Sequence, residues 1–200
     1  MIIELAGIPG CGKTTYAKQI LRERDDCVIV DNACLENSKS VVPLLRHFGF
    51  LYAQLSLKLC LCCGFSQNTL HQIKCLGRNL QKYIYAQEYG TTQGKVVLID
   101  EGFVAPIVSI VDQSQIPAVW QIVENSKQFR KKFPQVRVGI IAADAGICAE
   151  RILSRTQSLP YTLRNLDHEG MTKTLKTMTE RLNCLRNCFS DRFPAHDIPL

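Results

Sequence analysis

The sequence predicts an α/β protein in which a parallel sheet is covered by helices on both faces. Runs of mostly apolar residues at 27–30, 96–99 and 136–143 indicate strands. Such continuous apolar runs are typical of parallel strands that are buried on both sides. A fourth strand candidate, residues 2–6, leads through a glycine-rich turn into a segment with helical periodicity. Strand, turn and helix in this order favour an α/β architecture.

The glycine-rich turn has the spacing of a phosphate-binding loop. Residues 7–14 read GIPGCGKT, which matches G-x-x-x-x-G-K-[ST]. Glycines allow successive backbone N–H groups to face one concavity, and the following helix N-terminus adds donors for phosphate oxygens. Lys13 is expected to reach the β- and γ-phosphates, and Thr14 to offer its hydroxyl to Mg²⁺. The residues predicted to bind the nucleotide are Gly7, Gly10, Cys11, Gly12, Lys13, Thr14 and Thr15.

The elements on either side of the loop support this interpretation. Residues 2–6 are mostly apolar, and residues 14–24 place Ala17, Ile20 and Leu21 at helical spacing. The alternative is a glycine-rich turn that matches the motif by chance. The position of the motif between a strand and a helix favours the functional interpretation.

Length and composition indicate one globular domain that spans residues 1–200. Apolar residues make up 46% of the 200-residue chain and charged residues 21%, which is typical of folded proteins. The net charge of +6 suits a site for phosphates. The basic residues are scattered, and the densest run, residues 130–132, is better explained as a solvated helix end than as a nucleic-acid patch. A nucleic-acid partner is therefore disfavoured.

The cysteines and the apolar segments bear on location. The chain has ten cysteines, and a protein that uses ATP is expected in a reducing compartment, where cysteines act as small apolar side chains. Cys60 and Cys63 have C-x-x-C spacing, but no second pair with zinc-site spacing accompanies them. The most apolar stretch, residues 41–65, contains charged residues and does not suit a membrane span. With no signal peptide recognisable, a cytoplasmic protein is expected.

The second strand candidate ends at a carboxylate, Asp31. Ligands of open α/β sheets bind beyond the carboxyl ends of the strands, so Asp31 is placed to meet a substrate. The sequence leaves open the alternative that Asp31 caps the helix that follows.

Residues 33–94 are predicted to form a long helical region without strand character. Within it, residues 41–63 and 69–89 have helical apolar spacing, and glycines punctuate the segments. Arg46, Arg78 and Lys82 are candidates to project toward an anionic substrate. Taken alone, each of them is better explained as an ordinary surface charge.

A strand that ends in two carboxylates is the second strong signal. Four apolar residues, 96–99, run directly into Asp100 and Glu101. Asp100 at the strand end is expected to hold Mg²⁺, directly or through water. Glu101 is expected to orient a nucleophile or to contact the substrate.

The segments after this strand are predicted in less detail. Residues 103–111 indicate a short helix or a loop broken by Pro106, and residues 117–133 one helix with an apolar face. The next strand is expected over 136–144 and a last helix over 171–189. Only residues 197–200 remain for a fifth strand, which is therefore expected to be short or absent.

Two arginines precede a loop with lid character. Arg151 and Arg155 are four residues apart and are predicted to share one helix face, followed by a lid loop over 155–167. Arginine suits a clamp on transferring phosphoryl oxygens because its planar fork is always charged. The alternative is a solvent-facing basic helix end.

Together these motifs resemble the P-loop kinases of nucleosides, nucleotides and small molecules, in particular thymidylate-kinase-like and deoxynucleoside-kinase-like proteins. The resemblance covers most of residues 1–167. It implies a P-loop NTPase three-layer sandwich with strand order 2-3-1-4-5, a helical region at 33–94 that covers the substrate, and an arginine-bearing lid. It also implies ATP and magnesium as cofactors, and catalytic roles for Lys13, Asp31, Glu101, Arg151 and Arg155. The chain departs from many nucleoside kinases because Asp100-Glu101-Gly102 replaces their Asp-Arg or Glu-Arg pair.

The function expected from this combination is ATP- and Mg²⁺-dependent transfer of a phosphoryl group to a small-molecule hydroxyl or phosphate. The sequence leaves open a regulatory P-loop ATPase that binds a protein partner, and a polynucleotide 5′-hydroxyl kinase. A GTPase is disfavoured because no N-K-x-D segment occurs. The expected partner is the small-molecule acceptor. The sequence leaves the assembly state open, and a homodimer is one of the alternatives.

Overall fold

The fold is built on a five-stranded parallel sheet. The computed structural model describes residues 1–36, 42–90, 93–155, 159–189 and 195–198. The strand order is β2-β3-β1-β4-β5, and every neighbouring pair is parallel. This order agrees with the one that the sequence resemblance implies. The strands are β1 (Ile2–Ala6), β2 (Cys27–Val30), β3 (Val96–Asp100), β4 (Val136–Ile141) and β5 (Ala195–Ile198).

Helices connect the strands and enclose the sheet. They are α1 (Lys13–Glu23), α2 (Ala33–Glu36), α3 (Val42–Cys63), α4 (Gln67–Tyr89), α5 (Val104–Ile110), α6 (Ile116–Asn125), α7 (Lys127–Lys132), α8 (Ala145–Leu153) and α9 (His168–Arg186). Short 3₁₀ turns cover Gln113–Gln115 and Tyr161–Leu163.

The side chains of β1 alternate between two apolar clusters, one on each face of the sheet. Ile3 and Leu5 pack with Ala17 of α1 on one face. Ile2 and Ala6 belong to the larger core on the other face, to which α3, α4 and α6 contribute. Successive residues of a strand point to opposite faces, so both faces of the sheet are buried. The three-layer α/β prediction is confirmed.

Helix α4 is central to the larger core. It begins at Gln67 because the Ser66 side chain accepts a hydrogen bond from the Thr69 backbone N–H (3.1 Å) and caps the helix. Tyr83 of α4 is fully buried, and its ring stacks on that of Phe103 at 5.3 Å between centroids. The helix therefore lies directly against the segment that follows β3.

The predicted helices of the 33–94 region are confirmed over Val42–Cys63 and Gln67–Tyr89. Residues 37–41 and 91–92 of that region lie outside the described residues. The fifth strand is present and short, and it begins at Ala195, two residues earlier than predicted. Residues 199 and 200 lie outside the described residues.

Three predictions of local structure were wrong in detail. Residues 117–133 form two helices, because Ser126 is extended and its hydroxyl caps α7 by accepting from Phe129 N–H (3.2 Å). Pro106 does not break α5, since it lies in the first turn, where its missing N–H costs nothing. Strand β4 ends at Ile141, and Asp144 instead caps α8 through Gly146 N–H (2.8 Å).

No helix in the described part of the chain has the length and apolar character that a membrane crossing requires.

Candidate functional site

The glycine-rich turn adopts the conformation that its spacing predicts. Gly12 has φ +98°, a left-handed conformation that glycine adopts without steric cost, and helix α1 begins at the next residue. Lys13 is buried, and its ammonium donates hydrogen bonds to the carbonyl oxygens of Gly7 (2.9 Å) and Ile8 (3.2 Å). Lys13 therefore lies against the glycine-rich turn. Its charge is expected to bind phosphate oxygens together with the backbone N–H groups of the turn.

Thr14 and Asp100 meet although they are 86 residues apart in the sequence. The Thr14 hydroxyl donates to Asp100 Oδ2 at 2.7 Å, because β1 and β3 are neighbours and both end at this edge of the sheet. Asp100 Oδ1 is buried and has no hydrogen-bond partner among the described residues. A hydroxyl and a carboxylate with a free oxygen are ligands of the kind that Mg²⁺ prefers. The donor set fits magnesium.

The turn after β3 has an unusual backbone. Glu101 has φ +69°, which is left-handed and costs conformational energy for a residue with a side chain. Gly102 follows, and a Cβ at this position would overlap the carboxylate of Glu4. Close packing against Glu4 therefore requires glycine at position 102.

One cavity of about 420 Å³ joins the glycine-rich turn to the helical region. Its walls come from the turn, α4, Glu101, α5, Arg155, residues 159–162 and Arg164. Among the described residues, the charged ones that line it are four cations and one carboxylate: Lys13, Arg78, Arg155, Arg164 and Glu101. Such a wall attracts anionic ligands.

The segment 159–164, which follows α8, contacts α4 and lines one side of the cavity. The ring of Tyr161 stacks on His71 with 4.4 Å between centroids, and Arg164 lies 5.5 Å from the Tyr161 ring centroid. Burial, followed by the positive charge of Arg164, lowers the pKa of His71 below its ordinary range. The neutral imidazole therefore adds no further positive charge to this wall. Residues 156–158 of the predicted lid loop lie outside the described residues.

Asp31 lies at the carboxyl end of β2 and caps α2. Its Oδ1 accepts hydrogen bonds from the backbone N–H groups of Ala33 (2.9 Å) and Cys34 (3.2 Å). The neighbouring residue Asn32 lines the cavity, whereas Asp31 is not one of the lining residues. The capping role is thus present, and the predicted role toward a substrate stays a prediction.

The expected pairing of Arg151 and Arg155 on one helix face was wrong. Helix α8 ends at Leu153, where the Ser154 hydroxyl donates to the Arg151 carbonyl (3.0 Å) and the chain leaves the helix. Arg155 lies beyond this end and lines the cavity. Arg151 is exposed on α8 and is not among the lining residues.

The sequence did not predict that two charged residues of the site are buried. Lys82, considered a surface or substrate-facing cation, is 0% exposed, and its ammonium donates to backbone carbonyls of the turn after β3. Glu4, which was not considered, is also 0% exposed and accepts hydrogen bonds from Tyr83 Oη and Val104 N–H. The available signal was an acidic residue inside an otherwise apolar strand, which indicates a buried carboxylate.

Burial raises the pKa of Glu4 from its ordinary 4.5 to about 7, although the hydrogen bonds from Tyr83 and Val104 and the charge of Lys82 oppose the change. The folded protein thus holds this proton more tightly than the unfolded chain. The contribution to stability is complete below pH 4.5 and is lost as the pH rises toward 7.

We therefore expect the free energy of unfolding to fall with pH across this window by about 3 kcal/mol more in the wild type than in Glu4→Gln. Glutamine keeps the shape, can accept from the Val104 N–H through its amide oxygen and donate to Tyr83 Oη through its amide nitrogen, and does not titrate. Urea unfolding at a series of pH values measures the difference. Glu150→Gln, on the exposed face of α8, is the matched control and should keep the wild-type slope. An identical slope in Glu4→Gln would contradict the raised pKa.

Comparisons with known proteins find a match for the structure and none for the sequence. No protein-family model matches the sequence, and no curated protein matches it. The structure is similar to deoxyadenosine kinase from M. mycoides with bound dATP, with a TM-score of 0.52 at 15% identity, covering 99% of this chain and 90% of that chain. The same kinase with the products dCMP and a flexible dCDP matches with a TM-score of 0.52 at 16% identity, covering 100% and 90%. The resemblance to P-loop kinases is confirmed at the level of the fold.

Proposed function

We propose that the protein is an ATP- and Mg²⁺-dependent phosphotransferase that moves the γ-phosphoryl group to a hydroxyl or phosphate of a small molecule. The observation that carries this proposal is the single cavity shared by the glycine-rich turn, the Glu101 turn and α4. Such an enclosure holds the donor phosphates and an acceptor side by side, and positioning of this kind supplies much of the acceleration of phosphoryl transfer. The kinase fold of the structural neighbours supports the proposal.

The glycine-rich turn is proposed to bind the triphosphate. The proposed contacts are the backbone of Gly7, Gly10, Cys11 and Gly12, the ammonium of Lys13, and Thr15. Five of these residues line the cavity: Gly7, Gly10, Gly12, Lys13 and Thr15. Release of Lys13 from the Gly7 and Ile8 carbonyls would place its charge on phosphate oxygens.

Thr14 and Asp100 are the proposed ligands of magnesium, on the strength of their 2.7 Å contact and the free Asp100 oxygen. Bound magnesium would neutralise charge on the phosphate oxygens. Asp100 and Thr14 would orient the triphosphate tail against the end of β3.

The opposite wall is proposed to contact the group in transit and the acceptor. Arg155, at the cavity wall, is proposed to offset negative charge that develops on the transferred group. Glu101 is the carboxylate that lines the cavity, and it is proposed to orient the acceptor. Arg151 is not proposed for a phosphoryl contact, because it lies outside the lining residues.

Asp31 does not itself line the cavity, but its neighbour Asn32 does, and Asp31 is proposed to accept the proton when the acceptor is a hydroxyl. For such an acceptor, Asp31→Asn is expected to lower kcat about 10²- to 10⁴-fold, which is the usual contribution of a general base. The KM for ATP and the unfolding midpoint should not change, because asparagine retains an oxygen that caps α2. Steady-state kinetics and thermal unfolding measure these quantities. An unchanged kcat would restrict Asp31 to capping.

A panel of acceptors tests the proposed function. The protein is incubated with ATP, Mg²⁺ and nucleosides, nucleotides or sugars, and mass spectrometry detects an acceptor that has gained one phosphoryl group. Transfer to at least one small molecule, dependent on Mg²⁺, is the expected result. Release of inorganic phosphate without any acceptor product would contradict the proposal and favour a regulatory ATPase.

A further inference from the structure

Side chains of α4 hold the backbone of the whole turn that carries Glu101. Lys82 donates to the carbonyl oxygens of Asp100 (2.8 Å) and Glu101 (3.0 Å). Asn79, one turn earlier on the same helix face, donates to the carbonyl oxygen of Gly102 at 2.6 Å. Three consecutive carbonyl groups are thus bound by two side chains.

A buried carboxylate supports the same turn from the side of the sheet. Glu4 accepts from the Val104 N–H (2.8 Å), just after the turn, and from the hydroxyl of Tyr83, the residue next to Lys82 on α4. Gly102 approaches Glu4 so closely that no side chain fits between them. The turn is therefore fixed between α4 and β1.

Stability alone does not explain this arrangement. Lys82 and Glu4 are both 0% exposed, and among the described residues no carboxylate lies within ion-pair distance of the Lys82 ammonium. Desolvation lowers the pKa of Lys82, which reflects the cost of burying its charge, although nearby carboxylates, Glu101 first, oppose the change. Well-packed apolar residues at such positions are often at least as stable as buried charges. The network also maintains Glu101 in a left-handed conformation that is itself unfavourable.

The geometry points to a positioning role: Lys82 and Asn79, supported by Glu4, hold the Glu101 turn so that the Glu101 carboxylate faces the acceptor side of the cavity. This inference rests on the proposed phosphotransferase function. It assigns no contact with substrate to Lys82, Asn79 or Glu4, which act through Glu101. It also explains why a lysine and a glutamate occupy core positions beside the catalytic turn.

A double-mutant cycle on turnover tests the inference. Lys82→Met removes both hydrogen bonds, Glu101→Gln removes the carboxylate charge, and the double variant carries both changes. We expect Lys82→Met to lower kcat about 10²-fold, the order of loss that follows small misplacement of a reacting group, with KM for ATP within about threefold of the wild type. Because Lys82 acts through Glu101, the double variant should lie within about threefold of the lower single variant. Lys176→Met, on the exposed face of α9, is the matched control and should leave kcat unchanged.

Two outcomes would overturn the inference. One is an unchanged kcat in Lys82→Met, and the other is a double variant whose loss is the product of the two single losses. If Lys82→Met does not fold, as judged by circular dichroism, Asn79→Leu takes its place in the cycle, since it removes the donor to the Gly102 carbonyl. Asn79 also lines the cavity, so the non-additivity with Glu101→Gln is then the deciding readout. The expected loss in kcat is then about 10-fold, with the same non-additivity.

A crystal structure of the variant separates this inference from the proposed function. In Lys82→Met, or Asn79→Leu, we expect the turn to relax and Glu101 to leave the left-handed conformation. A Glu101 that keeps its φ near +69° in the variant would overturn the positioning role, whatever the activity. If the wild type transfers no phosphoryl group in the acceptor panel, the proposed function fails, and the crystal structure still decides whether Lys82 fixes the turn.

Discussion

Lys13→Ala is expected to lower phosphoryl transfer by at least about 10³-fold, because it removes the cation aimed at the β- and γ-phosphates. The fold should be retained. In the free protein the lysine donates to the Gly7 and Ile8 carbonyls and to the Cys11 sulfur, and the cost of burying an ammonium group offsets those hydrogen bonds. The loss of stability is therefore expected to stay within about 1 kcal/mol. Acceptor-product formation and urea unfolding measure the two quantities.

Lys18→Ala is the matched control for this variant. Lys18 lies on the same helix, α1, but is exposed and does not line the cavity. It should keep wild-type turnover and nucleotide affinity. Transfer at the wild-type rate by Lys13→Ala would show that the glycine-rich turn is not the site of the triphosphate, and the remaining site assignments would lose their basis.

Asp100→Asn is expected to lower kcat about 10²- to 10³-fold and to raise the Mg²⁺ concentration needed for half-maximal rate. The change removes the negative charge beside the Thr14 hydroxyl while asparagine still offers an oxygen to it. The effect of the substitution on nucleotide affinity should differ with and without Mg²⁺. Without Mg²⁺, the variant should bind an ATP analogue at least as tightly as the wild type, because one anion near the phosphates is gone.

Calorimetric titrations with and without Mg²⁺ measure these affinities, and Asp25→Asn is the matched control, an exposed aspartate remote from the cavity lining. A variant with wild-type kcat and an unaltered Mg²⁺ requirement would remove Asp100 from the metal site. Weaker binding of the analogue in the absence of Mg²⁺ would show instead that Asp100→Asn disrupts the turn itself.

The parts of the site that the sequence predicted are those formed by neighbouring residues. The phosphate-binding loop occupies eight consecutive positions, 7–14, and its conformation depends on glycines within that window. The strand ends at Asp31 and Asp100 were predictable because apolar runs mark the strands and parallel strands end at one edge of the sheet. The resemblance to P-loop kinases supplied the strand order, which the structure confirms.

Predictions that depended on helix ends were less successful. Arg151 and Arg155 have the spacing of helical neighbours, yet Ser154 terminates α8 between them by bonding to the Arg151 carbonyl. Ser126 also interrupts a predicted helix, the one over 117–133. In this case the serine hydroxyl accepts from the Phe129 N–H and caps the start of α7. A serine side chain can hydrogen-bond to the backbone within a helix or at a helix end, and the sequence alone does not decide between the two.

The sequence by itself determined the glycine-rich turn, the strands and the acidic strand ends, because each rests on hydrogen bonding or apolar periodicity within a short window. Only the tertiary structure decided that Glu4, Lys82 and Asn79 surround the Glu101 turn, since these contacts join residues 18 to 100 positions apart. It also decided which arginine reaches the cavity. A buried charge is stable only where distant partners meet it, and no local pattern records where those partners lie.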